Sequence, residues 1–190
     1  MKRVFSFIAL LLLPLCGFAQ DWFSFVVDMN LGTSISDSQY QFLSGDFLGG
    51  IKLCNDNMYI GCGLRLSSGK YDIKDFKKDK INCLGIILDA RGFVPISEKA
   101  DLVIDGKIGV IGGDPKIQEE TSTTVTKYKA NMTGPLKSIG VGARFLMEDG
   151  GYVGAGLCLE RYDYDLTMKG EPKYDLPGIN CVCLQLGFYF

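Results

Sequence analysis

Histidine is absent from this 190-residue chain. Without imidazole no Ser-His-Asp or Cys-His catalytic arrangement can be built, nor a zinc site that uses histidine, and the commonest hydrolytic chemistries are closed. A cationic surplus is missing too. The chain has 20 Lys and Arg against 22 Asp and Glu, and no basic stretch is dense enough to neutralise a phosphate backbone, which excludes nucleic acid as a partner. Beyond residue 19 no segment holds the 18 consecutive apolar residues of a spanning helix. Disorder is excluded by what is present, 47% hydrophobic and 22% charged residues with 24 Gly, 12 Phe and 9 Tyr. One domain is expected.

The first 19 residues stand apart. Lys2 and Arg3 precede an apolar run from Val4 to Leu15, and Gly17-Phe18-Ala19 offers small residues where signal peptidase requires them. The run is too short for a membrane anchor and Pro14 interrupts it, so 1–19 is expected to be a removed signal peptide and 20–190 the mature domain. Lipidation at Cys16 is the other route, with Leu15 in the place where lipoprotein signals resemble one another in carrying Gly, Ala or Ser. Removing Lys2 and Arg3 from the 20 basic residues leaves 18 against 22 acidic ones, a net −4.

Strict alternation runs through the rest. From Trp22 the positions Phe23, Phe25, Val27, Met29 and Leu31 are apolar while Ser24, Asp28, Asn30 and Gly32 take the opposite parity, the period of a strand with unlike faces. The pattern returns seven times, beginning at about Phe47, Met58, Ile81, Leu102, Ser138, Tyr152 and Cys181. Asn55-Asp56-Asn57, Pro95 to Lys99 and Glu148-Asp149-Gly150-Gly151 make tight turns. The connections between them are longer, roughly Thr33 to Gly45, Ser68 to Lys80, Asp114 to Pro135 and Tyr164 to Pro177. Short and long connections in turn predict an all-β, eight-stranded antiparallel up-and-down barrel with both termini at one rim.

Alternation does not say which face is outside. The polar parity carries Gly61, Gly63, Gly85, Gly109, Gly140, Gly142, Gly154, Gly156 and Gly187, and a solvated outer surface would carry Thr, Lys or Glu there. Inside a narrow barrel those glycines make room for long charged neighbours, so the aliphatic face is expected to meet lipid. Aromatics near strand ends (Trp22, Phe23, Tyr59, Phe93, Tyr152, Tyr189) agree with this. A soluble lipocalin-like barrel binding a lipophilic ligand would reverse the faces.

Signal segment, eight alternating strands and a last strand reading Val182, Leu184, Leu186, Phe188, Phe190 together resemble a small Gram-negative outer-membrane barrel of the OmpA/OmpX-like, broadly porin-like kind. The start at Gln20 after Phe18-Ala19 resembles exported Bacteroidetes-type barrels. The resemblance spans the mature chain and implies outer-membrane localisation, periplasmic termini, outer-membrane lipid as surroundings, and Leu186, Phe188 and Phe190 as the signal read by the barrel-insertion machinery. It carries over no ligand or catalytic residues.

With the polar parity inside, Lys52, Arg65, Arg91, Lys107 and Arg144 share the lumen with Asp28, Asp89, Asp105 and Glu160. In so narrow a barrel they are expected to pair as a structural network; a narrow gated conduit is the functional alternative. Of the cysteines past residue 19, Cys158 against Cys181 or Cys183 is the one pairing that adjacent strands allow. There is no CxxC, and Cys181-x-Cys183 alone does not define a metal site. No cofactor is expected. The Asp114–Pro135 segment, rich in Thr and Val, predicts a protruding hairpin that could meet an extracellular partner by strand addition, with Lys127 and Lys129 as edge protection. Tyr162, Tyr164 and Tyr174 read as interfacial aromatics. The expected role is a non-enzymatic envelope barrel whose outer loops serve surface contact, adhesion or envelope integrity.

Overall fold

The structure is a computed structural model, and it describes residues 23–35, 40–71, 77–78, 81–121, 124–148, 150–168, 174–175 and 178–190. The signal segment 1–19 with Cys16, Trp22 and Asp149 lie outside the described residues. The elements are β1 (Phe23–Ser34), β2 (Tyr40–Leu53), β3 (Met58–Tyr71), β4 (Lys77–Lys78), β5 (Ile81–Ser97), β6 (Ala100–Gly113), β7 (Lys116–Thr121), β8 (Thr124–Leu146), β9 (Tyr152–Tyr162), β10 (Asp165–Met168), β11 (Tyr174–Asp175) and β12 (Ile179–Tyr189).

Eight of these are the staves of a closed barrel. β1, β2, β3, β5, β6, β8, β9 and β12 pair antiparallel in that order, and β12 returns to β1 with Val26 opposite Tyr189 and Ser34 opposite Cys181. Closure removes the free edges that an open sheet exposes. Phe25 and Phe190 exchange both backbone hydrogen bonds, 3.1 and 2.9 Å, so the start of β1 and the end of β12 share the rim that carries the short turns 54–57, 98–99 and 147–151. At the first of these turns Cys54, Asn55 and Asp56 are all left-handed, with φ of 53, 55 and 65°. Asn and Asp tolerate that region better than other residues with a Cβ, and they let the chain reverse in so little space.

The faces divide by chemistry. Apolar side chains cover the outside: Leu31, Phe47, Leu64, Leu66, Ile86, Leu88, Ile108, Val110, Ile139, Val141, Leu157 and Leu159 are exposed, Ile86 by 67%. Asp28, Asp46, Arg65, Asp89, Arg91, Lys107 and Glu160 are buried inside. A soluble barrel with that surface would aggregate, whereas hydrocarbon solvates it; the chain is a transmembrane β-barrel. Where inward glycines recur, neighbouring backbones come close. A Cβ on Gly142 would meet the Ala155 carbonyl oxygen at 2.5 Å and Gly156 Cα at 2.8 Å.

Staves run longer than the sequence pattern indicated. β8 has 23 residues, about 75 Å at ~3.3 Å per residue, where roughly 10 suffice to cross a bilayer. β2 begins at Tyr40, so the first long connection shrinks from Thr33–Gly45 to residues 35–39. Aromatic side chains caused the misreading: Tyr40 and Phe42 point inward with Ser44 and Asp46, which hid the alternation. The hairpin expected in the Asp114–Pro135 segment is present, with Lys116–Thr121 paired to Thr124–Lys129 beyond the barrel. The final long loop also continues the sheet, β10 pairing with Ala130–Thr133 of β8.

Several aromatics face the other way from their expected place. Tyr59, Phe93 and Tyr189 are buried in the lumen rather than lying at a lipid interface, and the Phe93 and Tyr189 rings pack against the Arg144 and Arg91 guanidiniums. Tyr162 and Tyr164 are likewise buried, stacked with ring centroids 5.5 Å apart. With Tyr40 and Phe42 they form an aromatic plug across the long-loop half of the lumen.

Candidate functional site

Inward parity on seven different staves brings the charged side chains to one axis. Arg65 of β3 donates from Nε to Asp46 Oδ1 at 2.6 Å and from Nη2 to Asp46 Oδ2 at 2.8 Å. Its Nη2 and Nη1 also reach Glu160 Oε1 and Oε2 of β9 at 2.8 and 3.0 Å, and Nη1 reaches the Tyr162 hydroxyl at 3.3 Å. Tyr162 in turn donates to Glu160 Oε2. The planar guanidinium fork suits this double carboxylate clamp as an ammonium could not.

Lys107 of β6 links this group to a second one. Its ammonium donates to Asp46 Oδ2 at 2.8 Å and to Asp28 Oδ2 at 2.6 Å. Asp28 then accepts from Arg91 through both carboxylate oxygens and from Gln185 Nε2 at 2.9 Å, and Arg91 Nε donates to Asp89 Oδ2 at 2.7 Å. Arg91 Nη1 closes on the Tyr189 hydroxyl at 3.0 Å. The result is a chain of alternating sign, Glu160, Arg65, Asp46, Lys107, Asp28, Arg91, Asp89. In a low-dielectric lumen each charge needs such partners to offset its desolvation.

The other lumen candidates sit apart from that chain. Arg144 pairs with Asp101 at 2.7 Å near the short-turn rim, its guanidinium 3.4 Å from the centre of the Phe93 ring and 4.1 Å from that of Tyr152. Lys52 lines a cavity at the same rim with Ser24, Asp56, Tyr59 and Arg144. Asp105 is buried against Gly140, and its Oδ2 has no hydrogen-bond partner among the described residues, nor has Asp89 Oδ1. Leu186, Phe188 and Phe190 point outward from β12.

Sequence reasoning missed Asp46 and Asp101, the partners of Arg65, Lys107 and Arg144. Both fall just past the expected connections Thr33–Gly45 and Pro95–Lys99 and just before the first residues taken for their strands, Phe47 and Leu102, yet both share inward parity with Lys52 and Asp105 on their own strands, and that parity was the available signal. Asn30, whose amide donates to Ser44 Oγ and Asp46 Oδ2, both at 3.3 Å, was visible only as a polar-face residue.

Cys54, Cys62, Cys158, Cys181 and Cys183 are not joined in disulfides. Register places Cys158 opposite Cys183, and Glu160 opposite Cys181.

No protein-family model matches the sequence, and no curated protein does. Solved structures do resemble the fold. Neisserial surface protein A is 9% identical, with 88% of this chain and 94% of that one covered at a TM-score of 0.50. A major outer membrane protein from Thermus thermophilus is 9% identical, with 89% and 98% covered and a TM-score of 0.52. The chain therefore has the fold of the small outer-membrane β-barrels.

Proposed function

We propose that this protein is a non-enzymatic integral barrel of the outer membrane, with its termini in the periplasm, whose lumen is a structural plug and whose protruding long-loop side makes surface contacts. The observation that carries the reading is the alternating chain from Glu160 to Asp89, which spans the bore with ion pairs at hydrogen-bond distance and lies beneath the Tyr40, Phe42, Tyr162 and Tyr164 plug. A conduit would have to break several buried ion pairs together, each costing about 3–5 kcal/mol when one partner is lost. The absence of histidine from the chain supports a non-catalytic role.

The β7–β8 hairpin and the β10 extension raise backbone well beyond the hydrocarbon layer, where adhesion or envelope contact takes place. Purified protein in planar bilayers is expected to give no steady conductance, and deletion of 116–129 is expected to abolish cell-surface attachment while leaving a folded barrel. Steady conductance across the bilayer contradicts the plug; unchanged attachment contradicts the role of the hairpin.

A further inference from the structure

We propose that Cys158, Cys183, Cys181 and Glu160 form a thiolate-rich site for a zinc-class divalent cation inside the lumen, a property independent of the surface role above. The four residues are corners of one square on the inner wall: Cys158 and Glu160 lie two apart on β9, Cys183 and Cys181 two apart on β12, and the pairs face each other across the ladder. All four are buried, none exposed by more than 2%. The Cys158 and Cys183 sulfurs and a Glu160 oxygen already lie within 4.8 Å of one another. Three ligands bound tetrahedrally at about 2.0–2.3 Å stand about 3.5–3.8 Å apart, so the three donors draw in by up to about 1 Å, and Cys181, opposite Glu160 on the same inner wall, turns in as the fourth.

Register argues against a disulfide as the purpose of this square. Asn180 accepts from Ile35 of β1 at 2.9 Å, and Phe190 exchanges both bonds with Phe25, so the even residues of β12 turn their backbone groups toward β1. The odd residues turn theirs toward β9, which makes Cys158 and Cys183 a hydrogen-bonded pair, the more widely separated kind, with Cα atoms about 5.5 Å apart. Disulfides want Cβ atoms about 3.8 Å apart. Reduced sulfurs held near but not against each other suit a metal better than a bridge.

The carboxylate is oriented for the same task. Glu160 Oε2 accepts from both Arg65 and Tyr162, whereas Oε1 accepts from Arg65 and, at 3.9 Å, from the Cys158 thiol, whose proton leaves when a metal takes its place. Arg65 also brings positive charge beside the thiolates that metal binding creates. Gly32 leaves space for a ligating sulfur, since a Cβ there would stand 2.9 Å from Cys183 Sγ. Three sulfurs and one oxygen make a closed donor set of the structural zinc kind. Each thiol releases its proton to water on binding, and no electron is transferred.

The test uses full-length mature protein refolded in detergent with Zn2+ or Co2+, then freed of unbound metal. About one equivalent of zinc per barrel is expected, and the cobalt form is expected to show sulfur-to-metal charge-transfer absorption with tetrahedral d–d bands. Cys158→Ser and Cys183→Ser are expected to lose the metal at least tenfold, while Cys54→Ser and Cys62→Ser keep it, with heat-modifiable gel mobility reporting folding. If the lumen variants fail to fold, the wild-type cobalt spectrum decides alone. A folded wild-type barrel without cobalt–thiolate absorption, metal retained by the folded Cys158→Ser/Cys183→Ser double variant, or a Cys158–Cys183 disulfide found by mass spectrometry would overturn the proposal.

Discussion

Arg65 and Asp46 meet through two parallel bonds, Nε to Oδ1 at 2.6 Å and Nη2 to Oδ2 at 2.8 Å, with both side chains wholly shielded from solvent. They come from adjacent staves in direct register, so the pair forms only if β2 and β3 align without a slip. The fork ties the pairing register of two strands to the filling of the lumen, because a one-residue slip would turn Asp46 out toward lipid.

Removing the bridge at the middle of the network is expected to be the costliest single change. Lys107→Met leaves Asp28 and Asp46 facing each other without the shared ammonium, and about 3–5 kcal/mol of stability should be lost. Urea titration of the folded band in lipid or detergent reads this directly, and a midpoint close to wild type would show that the bridge does little.

Asp105 is expected to behave in the opposite way from Asp28. Its carboxylate is buried with an oxygen unpartnered among the described residues, whereas Asp28 accepts from Lys107, Arg91 and Gln185. Asp105→Asn removes a buried charge that is less well hydrogen-bonded than that of Asp28 and should be neutral or stabilising, while Asp28→Asn should cost about 2 kcal/mol or more. The comparison is made in the same urea titration; equal losses for the two variants contradict the assignment.

Close backbone approach predicts which glycines are required. Gly142→Val places methyl groups against the Ala155 carbonyl and Gly156 Cα on the neighbouring stave, where no flexible side chain can yield. The folded, heat-modifiable band should disappear. Gly92→Ala, with nothing within 4 Å of the added Cβ, should keep it.

Much of this architecture was legible because a two-sided wall in contact with lipid on one side and packed charge on the other forces strict period-two patterning. Gly61, Gly63, Arg65 and their apolar neighbours displayed it plainly, as did β12. Legibility failed where a strand left the bilayer. Above the membrane the inner face changes from charge to aromatics, so Tyr40, Phe42, Tyr162 and Tyr164 read as loop or interface although they are core. Asp46 was lost with them. Pairwise geometry was only partly in the pattern: adjacency of the last two strands set Cys158 against Cys181 or Cys183 without choosing between them, and nothing in the chain alone says that Lys107 reaches across to Asp28, because such contacts depend on register and on closure.

Two native thiols test the orientation of the wall. Cys62 is exposed on the outer face among Ile60, Leu64 and Leu88, and Cys54 is exposed in the turn at the short-turn rim. In liposomes holding barrels of both orientations, opened to the reagent by freeze–thaw, a charged water-soluble maleimide is expected to label Cys54 and leave Cys62 unmodified until the protein is denatured, while an apolar maleimide reaches Cys62 in the folded state. Labelling of Cys62 by the charged reagent as fast as Cys54 would mean that the aliphatic face meets water, and the account of the barrel would be wrong.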